Sequence, residues 1–140
     1  MRLSRALFVF LLVVLPLAGC ADKAPEGVTP AMDDEGRYVI KLTNNLTFDP
    51  IEAIIPKGGT IVWVNEGPVD HDVAGYKGDP IKDDTTEFSS SHEPPDGLGR
   101  LMHPGEEYTH TFTSKGAWTI WCHTHHEERM KGVVHVVDVV

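Results

Sequence analysis

Short runs of β-favouring residues, separated by clusters of turn residues, recur along the chain after residue 36. The runs are RYVIKLT, LTFDPIEAII, GTIVWVNEG, EEYTHTFTS, AWTIWCH and GVVHVVDVV. Pro, Gly, Asn and Ser cluster between them at 56–59, 65–68, 104–105 and 114–116, and no segment has the period of an amphipathic helix. This pattern predicts an all-β fold, a Greek-key β-sandwich of short strands.

Two regions refine this prediction. In the run GTIVWVNEG, Ile61 and Trp63 alternate with Val62 and Val64, so both faces are apolar. A central strand buried on both sides has this character. Residues 76–100 are instead polar and rich in Pro and Gly, which predicts a long excursion between strands with at most a short helix.

Residues 1–19 have the composition of an export signal. Arg2 and Arg5 precede the apolar run ALFVFLLVVLPLAG, which Pro16 interrupts, so a cleaved signal is favoured over a membrane-spanning helix. The tetrapeptide LAGC at 17–20 resembles the lipobox of bacterial lipoproteins. This resemblance implies cleavage before Cys20 and lipid on its sulfur; the alternative is plain cleavage that leaves a free thiol. We expect a lipid-anchored protein on the extracytoplasmic side of a membrane, in the periplasm or at the cell surface.

The segment that follows Cys20 is poor in large apolar residues and contains Pro, Gly and acids. We therefore expect residues 20–36 to form a flexible tether and residues 37–140 to form one domain. Without Arg2 and Arg5 the chain has 10 Lys and Arg against 21 Asp and Glu, a formal charge of −11. This balance disfavours nucleic-acid binding. It favours a protein partner with a basic docking surface; the alternative is that the acidity serves solubility alone.

Cys122 is the one cysteine left if lipid occupies Cys20, so no disulfide is expected. It stands in the stretch TIWCHTHHEERM together with His123, His125, His126 and Met130. One thiolate with imidazoles and a thioether is a donor set that selects copper, and two His, one Cys and a weak axial Met form the blue-copper arrangement.

The second histidine of such a site has to come from elsewhere in the chain. His71 is the best candidate, because it follows the strand GTIVWVN at an end where loops converge. Beside the cysteine, strand alternation turns His123 to the opposite face, whereas His125 can curl back through the loop.

The sequence resembles the cupredoxins, small blue copper proteins of the plastocyanin, pseudoazurin and halocyanin type. The resemblance covers residues 37–140 and includes FDP, PKGGTIVWVN, VDHDV, HPGEEYTHTF, KGAWTIWC, the spacing C-x2-H-x4-M and KGVVHVV. It implies a single type 1 copper ion with His71, Cys122 and His125 as equatorial ligands and Met130 as the axial ligand. It implies a monomeric one-electron carrier rather than an enzyme; the alternative is a copper capture and delivery protein.

The sequence departs from the family at two positions near the expected copper site. Thr124 replaces the usual Pro, and Asp72 replaces the usual Asn that braces the cysteine loop. An acid at 72 can brace the loop similarly, but its charge favours Cu(II). His123 and His126 are unusual for the family, and a second surface metal site at these two residues is an alternative to unliganded histidines. Trp121 should face away from the core, where it is either a candidate electron route or a packing residue.

Overall fold

A computed structural model describes residues 26–77, 86–95 and 97–138. These residues form two β-sheets that face each other across one hydrophobic core. The first sheet consists of β1 (Tyr38–Leu42), β2 (Phe48–Asp49), β4 (Thr60–Asn65) and β7 (Glu107–Thr111). The second consists of β3 (Glu52–Pro56), β5 (Ala74–Lys77), β6 (Phe88–Ser89), β8 (Gly116–Trp121) and β9 (Lys131–Val137).

Both sheets mix parallel and antiparallel pairs. The first has the order β2-β1-β4-β7, with β1 parallel to β4, and the second has the order β3-β9-β8-β5-β6, with β3 parallel to β9. The chain therefore changes sheets between β2 and β3. This arrangement is consistent with a Greek-key β-sandwich, and the prediction of an all-β sandwich is confirmed.

The strand predicted to be apolar on both faces is β4. It lies between β1 and β7, and Ile61, Val62 and Trp63 are at most 1% exposed. Trp63 stacks on Tyr108 of β7 and also contacts Phe88 and Phe112 of the core. The aromatic residues therefore join the two sheets.

The predicted excursion at 76–100 contains strand residues at its start and in its middle. Residues 76 and 77 belong to β5, and Phe88 and Ser89 form β6, which pairs with β5. The Phe88 ring is buried against Trp63, Phe112 and Trp118, and this burial compensates for the polar sequence around it. No short-range pattern marks a two-residue strand that depends on such distant contacts.

The second half of the predicted tether is attached to the domain. Val28 bridges to Ala53, its N–H donates to the Glu52 carbonyl, and Ala31 accepts from the Val39 N–H. Residues 20–25, including Cys20, lie outside the described residues, as does the signal segment 1–19. Among the described residues, no helix has the length and apolar character needed to cross a bilayer.

Candidate metal centre

Three side chains able to bind a metal converge at one end of the sandwich. One ring nitrogen from each of His71 and His125 and the Sγ atom of Cys122 all lie within 4.8 Å of one another. The sulfur is 3.6 Å from Nδ1 of His71 and 3.4 Å from Nδ1 of His125. Both imidazoles therefore turn the same nitrogen toward the sulfur. Among the described residues, this is the one group of His, Cys, Asp and Glu side chains with such spacing.

The hairpin of β8 and β9 supplies Cys122 and His125. Cys122 follows the last residue of β8 in an extended conformation and precedes a 3₁₀ turn, His123–His125. Its N–H donates to the Met130 carbonyl over 3.1 Å, and its carbonyl accepts the His125 N–H over 3.3 Å. The turn thus brings His125 back toward the sulfur, as the sequence predicted.

His71 is held by the loop that follows β4. Its backbone forms a two-way bridge with Met102, in which the N···O distances are 3.1 and 2.7 Å. Asn65, at the end of β4, is fully buried; its side-chain Nδ2 donates to the carbonyls of Val69 and Met102, and its Oδ1 accepts the Gly67 N–H. Sequence reasoning assigned no role to Asn65 or Met102. An amide at the end of an otherwise apolar strand was the one available signal for Asn65.

Burial sets the protonation of the two innermost side chains. It lowers the pKa of His71, with the nearby His125 as a second cause, so the neutral imidazole that ligates metals is favoured. It raises the pKa of the Cys122 thiol, although the Thr124 hydroxyl and the Asp72 N–H act in the opposite direction. Binding of a cation has to displace the thiol proton.

The comparisons with known proteins agree with this geometry. The family model described as "Copper binding proteins, plastocyanin/azurin family" matches residues 37–137. A plastocyanin from Scenedesmus fuscus is 30% identical over 91 residues, which span 65% of this chain and 87% of that protein. This chain belongs to the plastocyanin/azurin family of copper-binding proteins.

Solved structures of other cupredoxins have the same fold. A purple cupredoxin from Nitrosopumilus maritimus superposes with a TM-score of 0.57 at 23% identity, covering 71% of this chain and 98% of that one. Dithionite-reduced auracyanin from the photosynthetic bacterium Roseiflexus castenholzii gives 0.52 at 24% identity, covering 71% and 94%. At these identities the likeness concerns the fold alone.

The donor set of this cupredoxin fits one type 1 copper ion. Two imidazole nitrogens and one thiolate form the trigonal set that distinguishes such sites from thiolate-rich zinc sites. The Nε2 atom of His71 is buried without a hydrogen-bond partner among the described residues, so no competing contact holds the ring in another orientation. The prediction of copper as cofactor is confirmed.

Met130 lies next to the start of β9 and is 1% exposed. It belongs to the same buried cluster as Cys122, and its N–H donates to the His125 carbonyl over 3.2 Å. Its backbone therefore closes the loop that carries Cys122 and His125. The assignment of its sulfur as axial ligand stays a prediction.

Both departures from the family contact the cysteine loop. The Asp72 carboxylate accepts the His123 N–H at Oδ1 over 2.6 Å, so it braces the loop as expected for that position. The Asp72 N–H points at Cys122 Sγ over 3.4 Å. The hydroxyl of Thr124, which replaces the usual Pro, lies 3.1 Å from the same sulfur.

The remaining loop residues have separate surroundings. The His123 ring contacts Asp72 and Tyr76, whereas His126 Nδ1 lies 2.9 Å from the His123 carbonyl. Within the described part of the chain the two histidines form no metal-binding group of three.

Trp121 is half-buried, lies outside the core cluster as alternation predicted, and has Lys131 Nζ 5.9 Å from its ring.

Proposed function

We propose that this protein is a one-electron carrier that uses a single blue copper centre. His71, Cys122 and His125 are its equatorial ligands and Met130 is its axial ligand. The observation that carries the proposal is the convergence of the thiol and two imidazoles within 4.8 Å, in a chain of the copper-binding family. Copper, when bound, alternates between Cu(II) and Cu(I).

The surroundings of the site suit electron transfer without a substrate. His71 and Cys122 are fully buried and held by backbone hydrogen bonds, so the ligands have little freedom to rearrange between oxidation states. His125 is half-buried and forms the edge of the site nearest to solvent. Trp121, bonded to Cys122 and half-buried outside the core, is a second route to the surface.

The carrier works outside the cytoplasm, held to a membrane by lipid on Cys20. Its partners are redox proteins, and its excess of acidic residues favours those with a basic docking surface. It acts as a monomer and carries out no chemical conversion of its own. These proposals rest on the leader sequence, the charge and the family.

Visible and electron-spin-resonance spectra of the copper-loaded domain test the centre. The unsubstituted protein should show an intense thiolate-to-copper band, which Cys122→Ala and His71→Ala should abolish. His126→Ala is the matched control, because it removes an exposed imidazole from the same loop, and it should leave the band intact. The proposed ligand set would be excluded if the unsubstituted protein lacked this band. It would also be excluded if His126→Ala abolished the band while Cys122→Ala and His71→Ala retained it.

Redox titration and copper exchange separate a carrier from a copper delivery protein. A carrier should show one reversible one-electron step and slow loss of copper to a chelator, since His71 and Cys122 are inaccessible. Rapid and complete transfer of Cu(I) to the chelator would instead favour delivery. Met130→Leu should retain the blue band and change the potential, because a weak axial ligand tunes the site without holding it.

Membrane anchoring and partner docking have their own tests. Cells expressing the full chain should incorporate labelled fatty acid, and Cys20→Ala should remove the label and release the protein from membranes. The electron-transfer rate to a basic redox protein should fall as ionic strength rises from about 0.01 to 0.15 M, since the Debye length shrinks over this range. A rate independent of salt would contradict docking by charge.

A further inference from the structure

Hydrogen bonds through three side chains connect Tyr76 of β5 to the loop at residues 122–130, here called the copper loop because it carries Cys122 and His125. The Asp72 carboxylate is 2% exposed and lies 2.7 Å, at Oδ2, from His123 Nδ1. The other ring nitrogen of His123, Nε2, lies 2.6 Å from the hydroxyl of Tyr76 in β5. The Tyr76 and His123 rings meet edge to face, with centroids 6.1 Å apart. Both short contacts involve the residue that directly follows Cys122.

The chemistry of the three groups assigns the direction of each hydrogen bond. An ionised carboxylate accepts only, so His123 Nδ1 donates to Asp72. In the neutral imidazole Nε2 is then the acceptor, and the Tyr76 hydroxyl donates to it. Asp72 also accepts the His123 backbone N–H, so His123 is held by its backbone and by both ring nitrogens. Every polar atom of the His123 ring is therefore used.

The copper loop has few other restraints on this side. The turn His123–His125 contains no buried residue and has no side-chain hydrogen bond at its N-cap. Thr124 is exposed and stands where the family usually has the conformationally restricted Pro. Asp72, in contrast, is buried and its own N–H points at the Cys122 sulfur. The contacts of His123 thus join the exposed side of the loop to a buried residue.

We propose that Tyr76 and His123 are positioning residues of the metal centre. Through Asp72 they hold the turn that sets the distance between Cys122 and His125, and they replace the restriction that Pro would supply at position 124. Neither residue touches the metal. The expected effect of these residues on copper binding rests on the proposed function. The restraint on the turn itself exists without metal.

The first experiment uses the metal-free protein and measures amide hydrogen exchange in the loop. Tyr76→Phe removes one hydroxyl and keeps the ring, and the His123 and His125 amides should exchange about tenfold faster. That factor corresponds to about 1.4 kcal/mol. Tyr38→Phe is the matched control: it makes the same change in β1, away from the site, and should leave loop exchange unchanged. The second variant, His123→Phe, should accelerate loop exchange more than Tyr76→Phe.

The double variant tests whether the residues act as a unit. If they do, Tyr76→Phe should add nothing further in the His123→Phe background, because the acceptor is already gone. Equal loop exchange in Tyr76→Phe and the unsubstituted protein would overturn the inference. Effects of the two substitutions that simply add would overturn it as well.

The second experiment uses the copper-loaded protein. Tyr76→Phe should weaken copper affinity by about tenfold, the lower end of the usual effect of residues that orient ligands, and should shift the thiolate-to-copper spectrum. The midpoint of global unfolding of Tyr76→Phe should stay close to that of Tyr38→Phe. A loss of copper affinity without a loss of overall stability would then show that Tyr76 positions the ligands. A copper site unchanged by Tyr76→Phe would overturn the inference alone. A missing blue band in the unsubstituted protein would overturn the proposed function. The exchange experiment would still decide whether Tyr76 and His123 restrain the turn.

Discussion

The peptide N–H of Asp72 points at the Cys122 sulfur over 3.4 Å, although fifty positions separate the two residues. The same aspartate accepts the N–H of His123 at its carboxylate. One residue of the β4–β5 connection therefore contacts both the proposed ligand and the residue after it. Because the carboxylate lies in a buried site next to the sulfur, we expect it to influence the copper potential as well as the loop.

Asp72→Asn should raise the reduction potential. The amide oxygen can still accept the His123 N–H, and the amide N–H₂ can donate to His123 Nδ1 in the other neutral tautomer of the ring. The loop is therefore kept, while the negative charge that favours Cu(II) is removed. We expect a rise of about 60 mV, which corresponds to a tenfold change in a one-electron equilibrium. Protein-film voltammetry measures it. A potential equal to that of the unsubstituted protein would show that this carboxylate does not influence the metal.

Thr124→Val should lower the reduction potential by a similar amount, about 60 mV. The Thr124 hydroxyl lies 3.1 Å from Cys122 Sγ, and a donor at this distance withdraws charge from the thiolate and favours Cu(I). Val keeps the shape and removes the donor. Thr124→Ser is the matched control, since it keeps the hydroxyl and should keep the potential. A lower potential in Thr124→Ser than in Thr124→Val would contradict the assignment.

Stability of the metal-free protein should fall as the pH is lowered through about 6.5, the ordinary pKa of histidine. Burial lowers the pKa of His110, whose ring stacks on Phe88 with centroids 3.8 Å apart. The unfolded chain then binds more protons than the folded one below pH 6.5, so stability is full above this value and declines toward the lower folded pKa.

Urea unfolding between pH 5 and 8 measures the effect of His110. In His110→Phe the ring stack remains and the titration is removed, so the slope of stability against pH should become shallower. A residual slope of the same sign is expected from His71, whose pKa burial also lowers. Identical slopes in the variant and the unsubstituted protein would contradict a role for His110.

Gly75→Ala should destabilise the domain by about 1–3 kcal/mol, the usual effect of overpacking a core. A Cβ at this position would overlap the Phe88 ring, which packs directly on the glycine. Urea unfolding checks the value. In the Phe88→Ala background the space is free, so Gly75→Ala should there have little effect on the free energy of unfolding. An equal loss in both backgrounds would place the cause in the backbone rather than in the ring.

Periodicity and motif spacing were enough to predict the sandwich and the copper site. Strand β4 is apolar on both faces because it is central, and this local composition is visible in the chain. Cys122 and His125 are close in sequence, so the loop geometry between them is also local. His71 could be added to the candidate ligands because it follows a segment with a clear strand pattern. For these features short-range sequence carries the information.

Other features depend on contacts that no local pattern records. Strand β6 exists because Phe88 enters the core, and Val28 joins the domain by pairing with the backbone of residues 52–54. His123 was predicted to point away from the sulfur, with a surface metal site shared with His126 as an alternative, and its ring contacts were not foreseen. Its hydrogen bonds to Asp72 and Tyr76 arise because β5 lies beside β8 in the second sheet.

The sequence by itself determined the fold class, the copper chemistry and the ligand candidates, because these follow from residue type and spacing along the strand and loop. The tertiary structure alone decided which further residues contact the loops that carry the candidate ligands. Asn65 and Tyr76 form hydrogen bonds with partners up to 47 positions away. Such pairings follow from strand order, and strand order results from burying both sheets in one core.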